Sequence, residues 1–260
     1  MTAAIDFDVA IIGLGPVGAT LANLLGQSGI STQVFEREAA LYPLPRAVHF
    51  DDEVMRVFQT VGIADSLLPL LRVNPGMRFV DKDHQLLLDW PRPDTQSPQG
   101  WHPSYRFHQP ELEQLLRQSI SNYDTVDVRL NVDVVSIEQD SEGCDIHYQQ
   151  KSSGTDRILK ARSRYVVGCD GANSIVRQCM GAEYIDFGLQ ERWLVVDAIL
   201  KTEKPELGDF TVQYCDPERP HTYVRCPGAR RRWEFSLPTN ADTEGVVDDT
   251  TLWNMLSPWV

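Results

Sequence analysis

The chain has 260 residues, with 24 Lys and Arg against 37 Asp and Glu, for a formal net charge of −13 at pH 7. That acidity opposes binding to nucleic acid or to an anionic membrane surface, and no apolar run approaches the length of a transmembrane helix. A composition of 42% hydrophobic and 23% charged residues is that of a globular chain, with room for one large domain or two modest ones.

The amino terminus, MTAAIDFDV, lacks a basic region followed by an apolar core, so no signal peptide is expected. Residues 7–12, FDVAII, form a continuous apolar run of the kind a buried parallel strand shows. Residues 16–28 change period: Val17, Leu21, Leu24 and Leu25 recur at helical spacing, and Gly29 stands at the C-cap position. TQVFE, 32–36, reads as a second strand. Between the first strand and the helix lie Gly13, Gly15 and Gly18. Gly13 permits the sharp turn, Gly15 lets the backbone approach a pyrophosphate, and Gly18 lets the helix pack on the strand. The helix, opening at Pro16, then presents unpaired N–H groups and the positive end of its dipole to the phosphates. Glu36 closes the second strand about twenty residues on, where a carboxylate accepts hydrogen bonds from ribose hydroxyls. The order strand, glycine turn, helix, strand is the first half of a dinucleotide-binding fold, used by FAD and NAD(P) alike.

In YPLPRAVHFDDEVMRVFQTVGI, 42–63, two prolines hold a loop extended. Asp51 or Asp52 can cap a helix whose Val54, Met55, Phe58 and Val61 face inward, ending at Gly62. Arg46, in the loop, is either a solvated charge or a contact to a bound ligand. Residues 77–90 suggest a hairpin turning near Asp81–His84, and 91–103 form a loop. A strand and a helix follow from Ser104; Pro110 fits the first helical position, which makes Gln109 the N-cap candidate, with Leu112, Leu115, Leu116 and Ser119 on one face. From 125 to 167 the pattern is β, with turns at 140–143 and 152–155. RYVVGCDGANSIVRQCMG, 164–181, is a second strand–turn–helix: Asp170 and Gly171 end the strand beside a small-residue turn, again suiting ribose or pyrophosphate, though DG is also a common plain turn. Runs at 192–200, 209–215, 221–226 and 231–237 are strand-like, with a turn at 227–230. Arg230, Arg231 and Arg232 read as a solvated hairpin turn or, alternatively, as a carboxylate-binding cluster. His49 and His102 stand alone and have no role as a base without geometry. The five cysteines form no CxxC pair and are odd in number, which argues for core packing in a reducing cytoplasm and against a disulfide framework or a metal site.

Taken together, the glycine turn with Glu36, the YPLPRA segment at 42–47, DDE at 51–53 and CDGANSIVR at 169–177 resemble the flavoprotein aromatic hydroxylases, the single-component FAD-dependent phenol monooxygenases. The likeness runs through nearly the whole chain, including WLVVD at 193–197 and CDPERP at 215–220. It implies an α/β fold: a Rossmann-like FAD/NAD(P)-binding domain, residues 1–75 and 104–184, with an inserted β-sheet substrate domain, residues 76–103 and 185–260. It implies contacts to FAD from Gly13, Gly15, Pro16, Gly18, Glu36, Arg37, Arg46, Gln109, Asp170 and Gly171. Trp193, Tyr214, Tyr223, Trp233 and Phe235 become candidates to line the substrate pocket, although each taken singly reads as core. The implied reaction, in aromatic catabolism, is hydroxylation of a phenolic aromatic acid of the hydroxyphenylpropanoate type with NAD(P)H and O2. No catalytic protein nucleophile and no metal is implied, and a homodimer stays open. The alternatives are another flavin oxidoreductase of the same fold, such as a polyketide-type hydroxylase, or a non-catalytic FAD-binding remnant. The family's third, GD-containing signature has no counterpart here, so the chain is expected to be a fragment or a natural truncation.

Overall fold

A computed structural model describes residues 4–151, 157–238 and 248–259; the turn read at 152–155 lies outside them. The chain divides into two compact units: Met1–Val48, Glu53–Leu70 and His108–Ile185 form the first, and His49–Asp52, Leu71–Phe107 and Asp186–Val260 the second. No helix among the described residues is long and apolar enough to cross a membrane.

The first unit is built on a six-stranded sheet of β1 (Phe7–Ile12), β2 (Thr32–Phe35), β8 (Val126–Arg129), β9 (Val132–Gln139), β10 (Cys144–Gln150) and β11 (Ile158–Gly168), in the order β8-β2-β1-β11-β10-β9. β1 lies parallel to both β2 and β11. Strand β11 runs unbroken and serves two partners: it pairs antiparallel with β10 through its first half and parallel with β1 through its second. Ala10, Ile12, Phe35, Ile146 and Tyr148 fill the core on this sheet. Helix α1 (Pro16–Gln27) buries Gly18, Ala19, Ala22, Asn23 and Gly26 rather than a leucine face, and Val17 is 69% exposed. The small residues permit close approach: a Cβ on Gly26 would fall 2.6 Å from the ring of Tyr123. Asn23 Nδ2 donates to Leu116 O at 2.9 Å, tying α1 to α4 (Gln109–Ile120). Helix α2 (Asp52–Val61) follows directly on Asp51 and buries Met55, Phe58 and Val61, while Val54 is 37% exposed.

Between β11 and β10 Arg162 donates to Asp145 Oδ1 at 2.9 Å and to both oxygens of Asp140 at 2.8 Å, and Lys160 pairs with Asp145. Arg162 holds the Asp140 carboxyl below the usual carboxylate range; Lys160 first and Arg162 second do the same for Asp145. A carboxyl depressed in the folded state stabilises above its unfolded pKa of about 4 and loses that contribution as pH falls through the folded value. Arg162→Met is therefore expected to flatten the acid-side fall in melting temperature. An acid limb as steep as the parent's would show that the cluster contributes nothing.

The second unit carries a six-stranded sheet of β5 (Gly76–Asp81), β6 (Leu86–Pro91), β12 (Arg192–Ile199), β13 (Thr211–Cys215), β14 (His221–Arg225) and β15 (Arg230–Leu237), in the order β12-β15-β14-β13-β5-β6. The β5–β6 turn is held by Asp81 Oδ1, which accepts from the N–H groups of Asp83 and Gln85. A small three-stranded sheet joins β3 (His49–Asp51), β7 (Ser104–Arg106) and β4 (Arg72–Val73). Helix α3 (Ala64–Leu67) and helix α5 (Ile175–Cys179) belong to the first unit, helix α6 (Asp249–Leu256) to the second. Tyr214, Tyr223, Trp233 and Phe235 pack with Leu256 of α6 into a core cluster, whereas Trp193 is 40% exposed. Four of the five aromatic pocket candidates are thus core. The arginine cluster is not solvated either: Arg231 and Arg232 are buried, because β15 is an interior strand flanked by β12 and β14.

Candidate functional site

The parallel strands β1 and β11 end side by side, and both turns that follow them open on one cleft of about 380 Å³ within the first unit. Gly13 takes φ +97°, which L side chains resist, and a Cβ there would fall 2.5 Å from the carbonyl oxygen of Cys169. The two turns therefore touch. A Cβ on Gly18 would lie 2.0 Å from Gly13 O, so helix α1 can seat on the turn only if this residue is glycine. Gly15 differs from both: its φ of −70° suits any residue, and an added Cβ would meet nothing within 4 Å. It lines the cleft with Pro16, and no side chain caps the α1 terminus there. Gly18 is the one predicted site residue that lies beneath the cleft instead of on its wall.

Glu36 and Asp170, read from motifs far apart in sequence, line the same cleft. Glu36 is 8% exposed; Oε2 accepts from Leu14 N at 2.7 Å and Oε1 from Glu38 N at 2.8 Å. Each oxygen keeps a second lone pair for a ligand hydroxyl. Asp170 Oδ1 accepts from Ser174 Oγ at 2.6 Å and Oδ2 from Ile175 N at 2.7 Å, so this carboxylate fixes the turn into α5. Gly171, at φ +78°, lines the cleft beside it. Burial, with Asp170 second, pushes up the thiol pKa of Cys169 and keeps it protonated.

The third wall comes from α4. The helix begins at Gln109 with His108 as N-cap, one residue earlier than expected, and this frees the Gln109 side chain to bond elsewhere. Its Oε1 accepts from the N–H groups of both Arg46 and Ala47 at 2.9 Å, and its Nε2 donates to Glu113 Oε1 at 2.7 Å. The exposed loop of Arg46, whose guanidinium stands 5.1 Å from the Tyr42 ring, is thereby pinned to the helix. Arg46 and Arg37 also line the cleft. Sequence reading missed Arg117, which lines it too, donates to Leu14 O at 3.0 Å, and has a buried Nε without an acceptor. The signal was present: Gln109, Glu113 and Arg117 repeat every four residues, a polar stripe along a helix whose other face is core. Gln109→Leu strips an acceptor from two backbone N–H groups and is expected to cost about 2–3 kcal/mol in denaturant unfolding. Unchanged stability would show that the 46–47 turn is held by something else.

A glycine turn with open space at Gly15, an uncapped helix start, a buried carboxylate and an arginine nitrogen lacking an acceptor fit a dinucleotide diphosphate with its ribose. Residues 6–252 match the FAD binding domain family, and the chain belongs to it. The resemblance to flavoprotein aromatic hydroxylases carried by the motifs holds. The chain is 40% identical over 253 residues to a "Probable NADH-specific resorcinol 4-hydroxylase" of Rhodococcus jostii, covering 97% of this chain and 47% of that protein. It is 33% identical over 256 residues to a 3-(3-hydroxy-phenyl)propionate/3-hydroxycinnamic acid hydroxylase of Mycolicibacterium smegmatis, covering 97% and 43%. The chain thus spans about half the length of the curated relatives it matches. Among solved structures, p-nitrophenol 4-monooxygenase of Pseudomonas putida shares the fold with a TM-score of 0.83 at 21% identity, covering 97% of this chain and 62% of that one.

Proposed function

We propose that the chain is the FAD-holding part of a monooxygenase that hydroxylates a phenolic ring with NAD(P)H and O2. The reading is supported by one observation: the two motif turns shared with aromatic hydroxylases meet at a single cleft. The relatives' names narrow the substrate, since resorcinol and 3-hydroxyphenylpropionate are both phenols substituted at the meta position. A 3-substituted phenol is the substrate class we infer.

FAD, when bound, would supply the redox chemistry that couples oxidation of NAD(P)H to transfer of one oxygen atom from O2 to the ring. The chain's residues bind and orient it. Gly15 and the N-terminus of α1 receive the diphosphate, with Pro16 presetting the first helical turn. Glu36 accepts from the ribose hydroxyls, and Arg37, Arg46 and Arg117 offset phosphate charge. Gln109 and Asp170 act one step back, holding the loops that carry Arg46 and Gly171. The sheet of the second unit is the proposed substrate-binding domain.

The visible spectrum of the purified chain tests binding, with flavin absorbance expected near one equivalent. Glu36→Gln removes one carboxylate acceptor and is expected to weaken FAD about tenfold, the loss of one charge-assisted hydrogen bond. Turnover is tested separately. NADH oxidation should rise on adding resorcinol or 3-(3-hydroxyphenyl)propionate, with a hydroxylated product recovered. A flavin-loaded protein indifferent to both phenols would refute the substrate class and leave the cofactor assignment standing.

A further inference from the structure

The second unit contains a cavity of about 560 Å³ between the segment 200–209 and the 225–231 hairpin turn. Its deepest charge is Arg231, which is 5% exposed. Arg231 Nη1 donates only to carbonyls, Arg230 O at 2.7 Å and Gly228 O at 3.1 Å. Its Nε is buried with no acceptor, and no carboxylate pairs with it among the described residues. A guanidinium removed from water without an anion is costly, which makes this one a candidate anchor for an anion. The rest of the wall has the matching sign. Arg225, Lys201 and Lys204 join Arg231, against Glu203 and Asp209, with Lys204 also 3.8 Å from Glu206. Asp209 is already shared between Arg72 at 2.6 Å and Arg225 at 3.5 Å, which leaves Arg231 uncompensated.

We propose that this cavity binds a small oxyanion, a phosphate or carboxylate group, with Arg231 as the buried anchor and the lysines at the rim. The site is independent of the flavin assignment and lies within the second unit alone. Its shared chemistry is the fork of guanidinium donors, which accepts either anion. The test is calorimetric titration of the purified chain with inorganic phosphate and, separately, with acetate, at ionic strength held constant with chloride. Saturable binding is expected. Arg231→Met should weaken it about tenfold or more, the loss of a charge-assisted donor. Lys201→Glu, an exposed substitution that leaves the core alone, should weaken it about threefold, with far-ultraviolet dichroism confirming the fold. Binding of phosphate assigns a phosphoryl ligand, and binding of acetate alone assigns a carboxylate. Phosphate caught instead at the glycine turn would survive both substitutions, and that result, or no saturable binding of either anion, overturns the proposal.

Discussion

Gly18→Ala is expected to break the glycine turn, whereas Gly15→Ala is expected to leave the fold intact and weaken flavin binding. Alanine at both positions adds the same methyl group, so the contrast isolates its surroundings. At Gly18 the methyl would lie 2.0 Å from Gly13 O, and backbone cannot yield as a side-chain tip can. Either α1 lifts from β1 or the turn at Gly13 reopens, and the expected cost is about 3 kcal/mol or more. At Gly15 the methyl meets nothing within 4 Å, and φ −70° is comfortable for alanine. The cost in stability is about 1 kcal/mol or less, that of a poorer N-cap. The methyl instead occupies space proposed for the diphosphate, so FAD affinity should fall about tenfold or more. Thermal unfolding and flavin titration of both variants check this. Equal loss of stability would mean that Gly15, too, is structural; full flavin affinity in Gly15→Ala would place the diphosphate elsewhere.

Asp197→Ala in the second unit should be nearly as damaging without touching the cleft. Arg232, 2% exposed, donates through Nε at 2.9 Å and Nη2 at 2.8 Å to the two oxygens of Asp197 on the neighbouring strand. Removing the acid takes the bidentate partner from a buried cation that keeps Glu234 at 3.7 Å; breaking a fully buried pair outright costs about 3–5 kcal/mol. Asp197 is about one-third exposed and water screens it in part, so about 2–3 kcal/mol is expected here. The double variant Arg232→Met/Asp197→Leu should recover much of that loss, because neither charge is then left alone. Losses that simply add would show that the pair is not coupled.

The local chemistry of the motifs is legible in the sequence. Residues 7–12 and the glycine turn announce themselves through composition and spacing, since both obey rules that act within a few residues. What stays hidden depends on neighbours distant in sequence. The arginines at 230–232 look like a solvated turn because nothing local shows that β15 runs between two other strands. The leucines of α1 outweigh its alanines and glycines on a hydrophobicity count, yet small residues win the buried face where a helix must approach a sheet and Tyr123 closely. Gln109 sits in the expected neighbourhood but plays a different part. Proline is tolerated at either of the first two helical positions, and a one-residue shift turns a cap into a clasp on the Arg46 loop. For Asp170, the sequence suggests a ligand contact, and the structure shows both carboxylate oxygens bonded to the turn.

β11 joins the two halves of the cleft by lying beside β1, and the backbone of Arg162 reaches Asp6 across 156 positions of chain. During synthesis, therefore, the amino-terminal strand, glycines and helix stand with one flank bare until β11 is made. Cofactor capture at the proposed cleft then waits until the later strand emerges, and closing so long a loop delays it. Apolar residues of β1 meanwhile stay open to wrong partners, so a supply of flavin early in synthesis should do little to protect the nascent chain.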